Sequence, residues 1–93
     1  MIPATGKPSL APKARLRFDR ISGGDMLLYP ERGLALNGTA ASILKLCDGD
    51  RTVEGIVGEL HREYLDRTDD DVRHEVSEFL EDLLKRGLLR VLG

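Results

Sequence analysis

The chain has 93 residues, 41% of them hydrophobic, 32% charged and only 4% aromatic, with a formal net charge of −2. That length suits one small domain burying roughly 60% of its unfolded surface, which leaves little room for a deep catalytic cleft. A single cysteine excludes an internal disulfide, and no apolar run reaches the roughly 18 residues needed to span a bilayer or resembles a signal segment, so a cytoplasmic protein with no membrane role is expected.

The net charge hides an asymmetry. Residues 1–20 carry Lys7, Lys13, Arg15, Arg17 and Arg20 against Asp19, whereas residues 68–86 carry seven acidic residues against Arg73, Lys85 and Arg86. The two ends of the chain therefore set up opposite fields.

Residues 1–14 contain Pro3, Pro8 and Pro12 with Gly6 and Ser9, a composition that disfavours helix, and are expected to form a flexible N-terminal arm. Residues 15–93 are expected to form the folded domain. Arg15-Leu16-Arg17-Phe18-Asp19 alternates at period two, which predicts a strand with Leu16 and Phe18 on one face. Ser22-Gly23-Gly24-Asp25 supplies a hairpin reversal, and Met26 to Tyr29 is the second strand. A second reversal at Pro30-Glu31-Arg32, with Gly33 free to take positive φ, turns the chain into a third strand, Gly33-Leu34-Ala35-Leu36.

Two hairpins in series make the second strand central. The first edge is studded with Arg15, Arg17, Asp19 and Arg20, but the third strand carries no Lys, Pro or charge to discourage pairing. A guest strand could add there.

Beyond Leu36 the period changes to 3.6. Ala40, Ile43, Leu44 and Cys47 define a first helix with Asn37 as N-cap and Gly49 as a stop. Val53, Ile56, Val57, Leu60 and Tyr64 define a second, capped by Thr52 and weakened by Gly55 and Gly58. Val72, Val76, Phe79, Leu80, Leu83 and Leu84 define a third, capped by Thr68 or Asp69 and ended by Gly87, with Leu88 to Leu92 expected to pack back on the core. The fold class is α+β and winged-helix-like: a three-stranded antiparallel meander followed by three helices.

That architecture makes a DNA-binding regulator the rival reading. A recognition helix with three consecutive aspartates at its entering end has the wrong sign for phosphates, so nucleic acid is not the expected partner. Cys47 stands alone at an apolar position, His61 and His74 lack metal-ligand spacing, and no phosphate loop, nucleophile elbow or catalytic dyad is visible. No enzyme, metal site or cofactor is expected. The expected peptide groove runs between Gly33 to Leu36 and the start of the third helix, with Val72, Val76 and Phe79 as its apolar wall and Arg73, Glu75 and Arg32 as rim groups. An exposed edge also permits a homodimer.

The blocks Arg17-Phe18-Asp19-Arg20, Leu27-Leu28-Tyr29-Pro30-Glu31, Leu36-Asn37, Thr39-Ala40-Ala41, Ile43-Leu44-Lys45-Leu46-Cys47-Asp48-Gly49, Thr52-Val53 with Ile56-Val57, and Phe79-Leu80 before Arg86-Gly87-Leu88 resemble the PqqD family of pyrroloquinoline quinone biosynthesis. The resemblance spans about residues 15 to 90; Gly38, Gly55 and Gly58 depart from its usual pattern. It implies a non-catalytic peptide chaperone, a recognition element for ribosomally made modified peptides. Such a protein binds the precursor peptide PqqA as a strand beside the third strand and third helix. It presents that peptide to PqqE, a radical S-adenosylmethionine enzyme that holds the clusters, so that no cofactor belongs to this chain. An adaptor serving a different modified peptide is a further alternative.

Overall fold

A computed structural model describes residues 2–30 and 32–92. The chain forms β1 (Lys7–Leu10), β2 (Arg15–Asp19), β3 (Gly24–Tyr29), β4 (Arg32–Ala35), α1 (Gly38–Lys45), α2 (Val53–Glu63), α3 (Asp69–Lys85) and β5 (Leu89–Leu92). The α+β class, the three-stranded meander and the three helices stand as expected. Strands β2, β3 and β4 make one antiparallel sheet in that order, and β1 pairs with β5 in a separate two-stranded ribbon.

The ribbon corrects the expectation of a flexible arm. Lys7 to Leu10 pairs antiparallel with Leu92 to Leu89, Pro8 and Ala11 are buried, and Ala11 N–H donates to the Leu88 carbonyl at 2.9 Å. The segment before it also closes the start of α2, whose first N–H groups have no partner within the helix. Val53 N–H donates to the Gly6 carbonyl (2.9 Å), Glu54 N–H to the Ala4 carbonyl (3.1 Å), and Gly55 N–H to the Thr52 hydroxyl (3.1 Å). Pro8 fits this strand because the Ala11–Leu88 bond sets a register in which Pro8 turns its backbone away from β5, so no ladder N–H is missed, and its carbonyl accepts from Gly49 N–H at 3.0 Å.

Three local details differ from the sequence reading. The β2–β3 connection is four residues long, Arg20 to Gly23, with the positive φ at Gly23 alone, and β3 already starts at Gly24. Gly33 lies in extended strand without positive φ, and a Cβ there would sit 3.0 Å from Met26 Cε and 3.2 Å from Leu28 Cδ2, closer than ordinary contact. The hairpin residue Glu31 lies outside the described residues. Finally, α1 ends at Lys45, so Gly49 (φ 84°) stops no helix and instead shapes the turn that meets β1.

The helix caps follow the sequence. Asn37, Thr52 and Thr68 side chains accept from the N–H three residues on, Asp69, Asp70 and Asp71 fill the first turn of α3 where the dipole favours anions, and Gly87 (φ 74°) follows its C-cap. One core results. Leu27 from the sheet, Ile43 from α1, Ile56 and Leu60 from α2, Leu80 and Leu83 from α3, and Leu88 are all fully buried in a single cluster. Leu16 packs against it, but Phe18, expected on the same face, lies at the open end of the sheet and is 63% exposed.

Candidate functional site

The site is built on the register of β4. Leu34 pairs with Leu27, Gly33 with Leu28 and Ala35 with Met26, and the ladder continues as Leu36 N–H donates to the Asp25 carbonyl at 3.0 Å. In an antiparallel pair, hydrogen-bonded and non-hydrogen-bonded positions alternate. Leu36, Leu34 and Arg32 therefore turn their backbone groups to β3, and Gly33 and Ala35 turn theirs away from the sheet. As β4 is the last strand, those outward groups have no strand partner among the described residues.

Side chains alternate in step. Leu34 and Leu36 are half-buried against the core, while Gly33 and Ala35 are exposed on the opposite face beside Met26 and Leu28. At the end of β4 the chain enters α1 through Asn37, whose Oδ1 accepts from Ala40 N–H at 2.8 Å. This places the first turn of α1 against α3. Asn37, Thr39, Ala40, Ile43, Glu75 and Phe79 line a recess there of about 80 Å³.

Of the residues expected at the site, Gly33, Leu34, Ala35 and Leu36 form the edge and Glu75 and Phe79 reach the recess next to it. Val72 (3% exposed) and Val76 (1% exposed) are instead core residues. Arg73 is two positions from Glu75, about 200° around the helix, and so faces the other flank. There it donates to both Glu54 carboxylate oxygens, which ties α3 to α2, and within α3 to Asp69 Oδ2 at 3.1 Å. That contact holds the Glu54 carboxyl below its usual range and pushes the Arg73 guanidinium up. Glu75 is paired with Arg67 Nη1 at 2.9 Å.

Asn37, Thr39, Ala40 and Ile43 are the residues the sequence reading omitted. A usable signal was present: an N-cap directly after an edge strand forces the first helical turn to lie at the end of that edge. A wider depression of about 270 Å³ between α1 and α2 includes Ser42, Glu59 and Glu63, but the Ser42 hydroxyl is already engaged by Glu63 (3.3 Å) and Tyr64 (3.2 Å).

Among the described residues, no group of three or more His, Cys, Asp or Glu side chains is placed to hold a metal ion. The Cys47 thiol is buried and donates to the Ile43 carbonyl (3.3 Å); burial, and secondarily Asp48, push its pKa up to about 12, so it is a neutral thiol rather than a nucleophile. Among the described residues, no helix is long and apolar enough to cross a membrane.

Residues 26–89 match the family described as Coenzyme PQQ synthesis protein D (PqqD). The chain belongs to the PqqD family. Among similar relatives, the PqqA binding protein of Methylococcus capsulatus (strain ATCC 33009 / NCIMB 11132 / Bath) is 37% identical over 81 residues, spanning 87% of this chain and 84% of that protein. The PqqA binding protein of Rhodopseudomonas palustris (strain TIE-1) is 40% identical over 86 residues, spanning 91% and 82%. The solution NMR structure of the PqqD truncation of Methylobacterium extorquens PqqCD, described as a functional and stand-alone RiPP recognition element, superposes with a TM-score of 0.81 at 31% identity over 97% of this chain and 95% of that one. PqqD membership and the edge geometry draw on different observations, the first on sequence and overall shape and the second on hydrogen-bond register.

Proposed function

We propose that this PqqD-family chain binds the precursor peptide PqqA as an additional strand along β4 and, without chemistry of its own, presents it to the radical S-adenosylmethionine enzyme PqqE in the cytosol. The observation that carries the reading is the outward backbone of Gly33 and Ala35 at an edge bearing no charge between Gly33 and Leu36. An extended peptide gains main-chain hydrogen bonds there, and its alternate side chains meet the recess of Phe79 on one face of the sheet. The names of the relatives supply the peptide. Holding it raises its effective concentration at the enzyme, which then need not recognise the peptide unaided.

Titrating PqqA into the ¹⁵N-labelled protein tests this. Backbone amides of Gly33 and Ala35 are expected to shift strongly, followed by residues around Phe79. Binding that leaves those amides unmoved removes strand addition, and a larger response to duplex DNA than to PqqA removes the peptide role. The acidic first turn of α3 argues against the latter outcome.

A further inference from the structure

The outer face of the three-stranded sheet has a feature that hydrogen bonding along β4 does not use. Pairing puts Arg15, Leu28 and Gly33 in one row across the strands and Arg17, Met26 and Ala35 in the next. Residues in a row share a face, here the face turned away from the core. Leu28 is 37% exposed and Met26 is half-buried, and neither packs against the core cluster.

These two side chains lean towards the β4 edge. A Cβ at Gly33 would lie 3.0 Å from Met26 Cε and 3.2 Å from Leu28 Cδ2, so their tips already occupy the space above Gly33 that a side chain would take. In an ordinary sheet an added strand touches only the side chains of the strand it pairs with. Here Gly33 has none, and the tips of Met26 and Leu28 become the neighbours of the incoming strand.

We infer that Met26 and Leu28, uncovered by Gly33, form a subsite for a large apolar side chain of the peptide strand added to β4. This inference rests on the strand-addition reading and deepens it. The occupant is a side chain of the guest strand because the apolar floor is continuous with the row of outward backbone groups that would hold that strand. Charge limits the chemistry further. An apolar floor disfavours a charged occupant, because a Lys or Arg side chain seated on Met26 and Leu28 would give up its hydration with no carboxylate to pair with among the side chains of those rows. The subsite lies on the opposite face of the sheet from the recess at Phe79. Together they read alternate residues of one extended peptide.

The sequence makes the test convenient, because Met26 shares the methionine signal only with Met1. With ¹³C-methyl methionine and PqqA at saturation, the Met26 ε-methyl is expected to shift and to show cross-relaxation with an apolar side chain of the peptide. Leu28→Ala, which alters an exposed residue, is expected to weaken PqqA roughly three- to tenfold. Replacing the contacting peptide residue by Ala should then cost much less in Leu28→Ala than in the parent protein, and replacing it by Lys should weaken binding further. If the Gly33 and Ala35 amides move while the Met26 methyl stays unmoved, strand addition stands and the subsite is overturned. Additive effects of the two alanine substitutions likewise overturn it. If those amides do not respond either, both readings fall together.

Discussion

Ala35 and Leu34 are neighbours with opposite duties. Leu34 N–H belongs to the ladder with β3, whereas Ala35 N–H points outward. Proline removes an N–H and, at an outward position, places its ring where a guest backbone must approach. Ala35→Pro is therefore expected to keep a native amide spectrum and weaken PqqA about tenfold or more, while Leu34→Pro loses the fold; a folded Ala35→Pro with unchanged affinity contradicts the assignment. The identity of these residues was legible in the sequence, as were the N-caps Asn37, Thr52 and Thr68. Which N–H faces out was not, because it depends on the register set by the hairpin after Tyr29, and a shift of one residue exchanges the two faces. Cys47 yields a second prediction. Its pKa rises from 9.0 to about 12 on folding, so the unfolded chain gives up the thiol proton more readily than the native one. The associated stability is complete below about pH 9 and is lost as pH rises towards 12. Urea midpoints between pH 8 and pH 11 should fall more steeply for the parent than for Cys47→Ala, and native protein at pH 8 should resist iodoacetamide.

Among the elements, α2 carries a weakness visible in the sequence. Gly58 is exposed in its interior, with nothing within 4 Å of where a Cβ would sit. Gly58→Ala is expected to stabilise the protein by about 0.5–1 kcal/mol in urea unfolding, since it relieves backbone entropy at no steric cost. Gly6→Ala should do the reverse, by about 1–3 kcal/mol, because its Cβ would meet Val91 Cγ1 at 2.7 Å and the Pro3 carbonyl at 3.2 Å. The helices could be read from their own apolar stripes and caps, which are local. The ribbon of β1 and β5 could not: each is a four-residue segment, one contains a proline, and the partner that makes either a strand comes from the far end of the chain. The recess beside β4 was half legible for a related reason. The stripe on α3 marks Val72, Val76 and Phe79 alike as apolar, and only packing decides that the first two fill the core while the third reaches the surface edge.

At the scale of the molecule, one cluster joins the sheet, all three helices and the start of the ribbon. Leu80 is fully buried within it, so Leu80→Ala is expected to cost about 2–5 kcal/mol. Thermal melts followed by helix signal and by the amides of β4 should shift together; separate transitions would mean that the meander and helices are independent units. The fold class was legible at this scale because a run of strands followed by a run of helices has few ways to bury both apolar faces.

The pairing of Lys7 with Leu92 has a consequence for biogenesis. At elongation rates of about 5–20 residues per second, β1 is synthesised roughly 4–16 s before β5. Throughout that interval β1 lacks its strand partner. The ribbon is therefore the last part of this fold to close, after the meander and the three helices that separate its two strands in sequence have been made.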